Sequence, residues 1–146
     1  MNISSMLTLT KLIDSAYGNM CQPVLREFGI SKTSFDILMF LRNNPAHYTA
    51  REISELRKIK PNVVSLHVEK LCRDGYLERR SVEGDRRKVR LVCTEKASPI
   101  TDKGRAMQLE FYRQLLDGVT QEDLEGLKRC FDCLAENAGR IHSSKS

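Results

Sequence analysis

Two groups of residues in this chain have the types and spacing to do chemistry. The first is Lys60, Asn62, Val63, Ser65, Leu66 and Lys70, interleaved with an apolar stripe at Val64, Val68 and Leu71. The stripe has helical spacing, so on a helix over about 60–73 it faces inward. Asn62, Ser65, Leu66 and Glu69 then face outward, with Lys60 and Lys70 nearby. An outward asparagine amide can pair bidentately with adenine, and serine can touch base or phosphate. The competing reading of Asn62 is a helix-start cap or a solvated residue. The second group is Asp85-Arg86-Arg87-Lys88, flanked by Arg79, Arg80 and Arg90. Arginines of this kind suit the concentrated negative potential of a narrow minor groove. Asp85 reads as a brace that holds a neighbouring guanidinium through a bidentate pair. The competing reading is a solvated charged turn.

Thiol chemistry is the alternative. Cys130-Phe131-Asp132-Cys133 has redox-motif spacing, which would make the chain a thiol-based redox-sensing regulator or a thiol oxidoreductase. The pair falls inside a helical pattern, however, where closing a disulfide strains the geometry. The other cysteines are Cys21, Cys72 and Cys93, an odd total of five that argues against a disulfide framework. A metal site needs three or four convergent ligands. Two cysteines with only His47, His67 and His142 elsewhere make a poor set. His67 lies beside the inward stripe and reads as a packed or interfacial histidine. There is no glycine-rich phosphate loop, nucleophile elbow or paired-histidine motif. No cofactor, no metal and no enzymatic activity are expected.

The elements that must position these groups follow from periodicity and punctuation. Leu9, Ile13, Tyr17, Met20 and Val24 predict an amphipathic helix over 6–25, bent or ended by Pro23. Ser31 can cap a helix over 32–43, with Phe35, Leu38, Met39 and Leu41 in the core. Thr49 with Glu52 forms a capping box opening a short helix to about Arg57, whose buried face is Ile53 and Leu56. Pro61 suits the first turn of the next helix, and Gly75 lies just past its end. Residues 76–81 and 89–94 alternate apolar and polar around a turn at Glu83–Arg87, which predicts a β-hairpin. A long helix then starts at Thr94 or Ser98, with Ile100, Met107, Phe111 and Leu115 along one face. Thr120 with Asp123 caps a last helix, striped by Leu124, Leu127, Phe131, Leu134, Ala138 and Ile141. Two short helices and a basic hairpin describe a winged helix-turn-helix. The fold class is mainly α with a small β-hairpin wing (α+β).

Charge placement supports a polyanion partner. The 146-residue chain carries a net charge of +5. Residues 51–90 hold 12 Lys/Arg against 7 Asp/Glu, while the flanking segments are near neutral. The excess therefore sits where the two candidate groups lie. The longest apolar run, Phe35–Leu41, is broken by Asp36 and is far shorter than the roughly 20 residues a bilayer requires. No basic, apolar leader opens the chain, so a cytoplasmic protein without membrane contact is expected.

The stretch Lys58 to Thr94 resembles the core of the MarR (multiple-antibiotic-resistance) family of winged helix-turn-helix regulators. The similarity rests on Val63-Val64-Ser65-Leu66-His67-Val68-Glu69-Lys70-Leu71, Asp74-Gly75-Tyr76-Leu77-Glu78-Arg79 and Asp85-Arg86-Arg87-Lys88-Val89-Arg90-Leu91. It implies that residues 1–146 form one MarR-like domain, with a DNA-binding lobe at 32–94 and dimerisation helices at 1–28 and 95–146. It also implies wing roles for Asp85 and Arg87, with Arg87 in the minor groove, and regulation of transcription, most naturally repression. Many family members carry arginine where this chain has Leu66. A leucine there can meet a thymine methyl but cannot read guanine. A homodimer is implied, joined by the first helix and the last two. The 3,4,3,4,3 spacing from Leu124 to Ile141 independently reads as a helix–helix seam, shared with packing inside the chain. Leu9 and Ile13 would join Leu124, Leu127, Phe131, Leu134 and Ile141 in that interface. A two-fold dimer calls for a pseudo-palindromic operator with half-sites about 10 bp apart. The resemblance further implies a small aromatic or phenolic effector, with Tyr17, Tyr48 and Tyr112 as pocket residues or simply packed ones. Cys21 lies near the end of the first helix, away from the family's oxidant-sensing position. A winged helix used only as a protein-interaction module is the remaining alternative, and the basic wing argues against it.

Overall fold

The computed structural model describes residues 2–144. In chain order it contains α1 (Ile3–Phe28), α2 (Lys32–Asn43), α3 (Ala50–Arg57), α4 (Pro61–Arg73), β1 (Leu77–Val82), β2 (Asp85–Cys93), a 3-10 turn (Glu95–Ala97), α5 (Ser98–Leu115) and α6 (Gln121–Ser143). Residues up to Phe111 form one compact unit, and those from Tyr112 onward form a second.

Local chemistry accounts for most element starts. Asn2, Ser31, Thr49 and Thr120 cap α1, α2, α3 and α6 with their side chains, three of them in full capping boxes. Pro61 occupies the first turn of α4, where a missing N–H is harmless. Of the bend or end expected at Pro23, the end is not observed, because the helix runs on to Phe28. Pro23 is solvent-exposed, while Val24 and Leu25 just beyond it are buried. Their packing outweighs the one hydrogen bond proline removes.

In the first unit α2 is the hub. Phe35, Ile37, Leu38, Met39, Phe40 and Leu41 are all buried. Against them pack Cys21, Val24 and Leu25 of α1, Ile53 of α3, Val64, Val68 and Leu71 of α4, Leu77 and Leu91 of the hairpin, and Ile100 of α5. Leu56 departs from expectation and is largely exposed. Ile53 is the buried residue of α3, with Ala50 half-buried before it, and Leu56 lies about 60° round the helix from Ile53 and about 120° from Ala50. Gly104 sets the approach of α5. A methyl group there would lie 2.5 Å from the Met39 Sδ and 2.9 Å from the Phe35 ring.

The hairpin is antiparallel, with Leu77 opposite Cys93 and Arg79 opposite Leu91. Its turn is tighter than expected. Only Glu83 and Gly84 connect the strands, Gly84 sits at φ 82°, and β2 already begins at Asp85. The left-handed glycine lets two residues close the loop. A second backbone link, Leu91 N–H to Tyr48 C=O at 2.8 Å, ties β2 to the segment before α3.

In the second unit Thr120 and Asp123 start α6. That helix buries none of its residues. Leu124 is half-buried, and Leu127, Phe131, Leu134 and Ile141 are exposed.

Candidate nucleic-acid interface

The α3–α4 pair is held by polar bonds that its sequence dictates locally. The Glu52 carboxylate accepts from the Thr49 N–H (2.9 Å), the Thr49 hydroxyl (2.8 Å) and the Tyr48 N–H (3.0 Å), and lies 3.2 Å from His47 Nδ1. Partial burial pushes its pKa up, but these hydrogen bonds outweigh burial and hold it at about 2. After α3 the chain turns sharply. Lys58 adopts φ 54°, its N–H returns to the Ser54 C=O, and the Ser54 hydroxyl donates to the Ile59 C=O at 2.7 Å. The short helix, tight turn and second helix are thus a single bonded unit.

On α4 the burial of Val64, Val68 and Leu71 fixes the helix rotation. Asn62, Ser65, Leu66 and Glu69 are exposed, and Val63 is half-buried. The N-cap position is Lys60, which makes no side-chain cap bond. Asn62 therefore stands inside the helix instead of capping it, and its amide points to solvent. His67 is half-buried, with Nδ1 2.9 Å from Ser34 Oγ and 3.4 Å from Ser31 Oγ. It fastens α4 to the start of α2, as a packed histidine should. Lys70 is paired with Asp74 at 2.6 Å.

The wing tip differs from expectation in one informative way. Val82 pairs with Asp85 and Ser81 with Val89, so Arg86, Arg87 and Lys88 fall between these pairings as a bulge. Asp85 does not grip a guanidinium. Its carboxylate accepts the backbone N–H of Arg87 at 3.0 Å, which satisfies an amide in the bulge. The side chains of Arg86, Arg87 and Lys88 are all exposed. Behind the tip, Lys88 Nζ and the Arg90 guanidinium lie 5.3 and 4.9 Å from the Tyr48 ring centre, cation–π contacts that orient both charges. Tyr48 is therefore a platform for wing cations. Arg80 is bridged to Glu78.

α3, α4 and the hairpin enclose an open cleft of about 620 Å³. Its lining includes Arg51, Ser65, Arg79, Asp85, Arg87 and Lys88. Sequence reasoning reaches Arg51 only as part of the charge excess, because no motif marks it. The fold places it in the lining of the same cleft as Ser65 and Arg87.

The remaining candidates lie elsewhere. Cys130 and Cys133 are free, exposed thiols within α6, and Cys21 is buried. Burial raises the Cys21 pKa and pushes the Cys93 pKa up to about 11. Tyr17 packs edge-on against Phe111, accepts from Gln108 Nε2 at 2.7 Å, and has its pKa raised to about 12 by burial. Tyr112 is exposed. On α1 Leu9 is exposed and Ile13 half-buried.

Comparison with known proteins agrees with this geometry. Residues 28–88 match a model of the MarR family. The regulator PecS of Dickeya dadantii, an HTH-type transcriptional regulator, is 26% identical over 128 residues, covering 86% of this chain and 75% of PecS. Among solved structures, the transcriptional regulator PA3341 superposes with a TM-score of 0.82 at 19% identity, covering 92% of this chain and 98% of that one. The MepR–DNA complex of S. aureus gives a TM-score of 0.76 at 15% identity, covering 94% and 96%. No helix among the described residues is long and apolar enough to cross a membrane. From α2 through the wing, the chain has the architecture of a winged helix-turn-helix, and over residues 28–88 it is similar to the MarR family.

Proposed function

We propose that this chain is a sequence-specific double-stranded DNA-binding transcriptional regulator, acting as a repressor. Helix α4 enters the major groove and the wing, residues 79–90, lies along the adjacent minor groove. The carrying observation is an outward polar row on α4 together with three exposed cations on a bulged wing tip, of which Ser65, Arg87 and Lys88 line one cleft. A DNA complex among the similar folds supports the reading.

The working form is a homodimer on a pseudo-palindromic operator. The lobe at 32–94 binds DNA, and residues 1–28 and 95–146 dimerise. Support comes from apolar side chains left in water. Ile3, Leu7, Leu9 and Leu12 of α1, and Leu127, Phe131, Leu134 and Ile141 of α6, are all exposed. Rows of this kind on two helices are unfavourable in a monomer and mark a protein interface. A small aromatic effector, if it regulates the dimer, acts by preferring a spacing of the lobes that misfits the groove.

The test is selection from a random duplex library at several salt concentrations, followed by sequencing. A pseudo-palindrome with half-sites about 10 bp apart is expected. The log–log salt slope then counts the phosphates neutralised. Retention that is sequence-blind and vanishes by roughly 0.2 M salt would leave only non-specific attraction and overturn the reading.

A further inference from the structure

The outward row of α4 has an unusual composition for a helix facing a polyanion. Leu66 is 66% exposed in the middle of that row, and it is the one large hydrophobic side chain of α4 left in solvent among the described residues. Asn62 stands one turn before it and Glu69 three residues after it, both exposed. From Pro61 to Glu69 there is no arginine or lysine. The basic residues of the helix, Lys70 and Arg73, come only in its last turn, and Lys70 is tied to Asp74.

We propose that Leu66 reads the 5-methyl group of a thymine, so that the half-site under α4 is specified by A·T pairs. The inference deepens the DNA-binding reading above and rests on it. In the major groove the thymine methyl is the one apolar feature a base edge offers, and a leucine can gain from nothing else there. Guanine is read by bidentate Arg or Lys donors to O6 and N7, and the row holds none. The Asn62 amide matches adenine N6 and N7. Glu69 only accepts and is repelled by phosphate, so it adds no sequence-blind attraction. Asn62 and Leu66 lie about 6 Å apart along the helix axis, which is about two base steps. An adenine and a thymine methyl at that spacing are the expected core. Affinity then comes from the wing and selectivity from α4.

The experiment starts from the duplex selected by the wild-type protein. Each thymine in one half-site is replaced in turn by deoxyuridine, which removes only the methyl. Affinities are measured for the wild type and for Leu66→Ala, a change at an exposed position whose helicity is checked by circular dichroism. For the wild type, one replacement should weaken binding about fourfold, the effect of unburying one methyl. For Leu66→Ala, that same replacement should change nothing, while binding to the thymine duplex falls to the level of the uracil one. Equal sensitivity in both proteins, or no sensitive thymine in the wild type, overturns this inference and leaves DNA binding standing. Failure to select any site overturns both.

Discussion

At the wing tip the Asp85 carboxylate takes the amide proton of Arg87, and no ion pair among the described residues holds the Arg87 guanidinium. The two residues should then fail differently when altered. Arg87→Ala removes the charge proposed to meet phosphate or minor groove. It should weaken DNA binding about tenfold or more and lower the salt slope by about one. Asp85→Ala removes a backbone brace instead. It should weaken binding less and leave the slope unchanged. Fluorescence anisotropy titrations across salt concentrations separate the two. Asn62→Ala should relax discrimination at one base pair by about 1–3 kcal/mol, read as a flattened position in a repeated library selection. At this scale the sequence already discloses residue types and rotation, since the stripe Val64, Val68, Leu71 orients α4 without further help. It does not disclose that Asp85 bonds backbone or that Tyr48 carries Lys88 and Arg90. Those pairings depend on a bulge and on a loop–strand bond between distant residues.

The start of α3 is the element whose chemistry is best defined. Thr49→Ala should cost about 1 kcal/mol of stability, as loss of an N-cap does. The Glu52 carboxylate has a depressed folded pKa of about 2, so its contribution is complete above the unfolded value near 4.3. That contribution drains as pH falls from there toward 2. Urea melts at pH 5 and pH 3 should show a larger loss for the wild type than for Glu52→Gln. Gly104→Ala tests the packing of α5. The added methyl meets Met39 and Phe35 at overlap distances. The cost of crowding, about 1–3 kcal/mol, should exceed the gain of less than about 1 kcal/mol in helix propensity and lower the melting temperature. Capping boxes and the proline at the start of α4 are legible in sequence because they involve residues three or four apart. The course of α1 past Pro23 is not, because the burial of Val24 and Leu25 that sustains it is a tertiary event. Leu56 is misread for a related reason: eight residues are too few for periodicity to fix which side is inward.

For the whole molecule, the proposed dimer makes the most direct prediction. Leu127→Glu combined with Phe131→Glu places two charges in the exposed row of α6, where Phe131 is 58% exposed. Exposed positions tolerate such changes in the monomer, so the variant should fold. It should sediment as a monomer, where the wild type should sediment as a dimer. It should also lose preference for a palindrome over a single half-site. A variant that stays dimeric would move the interface away from this row. The net charge of +5 belongs to this scale too, since its concentration in residues 51–90 confines salt-dependent attraction to the winged-helix segment.

The sequence by itself determined the helices, the hairpin, the basic centre and the winged helix-turn-helix they add up to. Each of these is written in local spacing, through caps, stripes and turn residues that act over a few positions. Tertiary structure alone decided the cleft that gathers Arg51, Ser65, Arg79 and Arg87, the His67 bond to Ser34, and the close approach permitted by Gly104. These join residues tens of positions apart, and only the packing of α2 against its neighbours brings such residues within reach of one another.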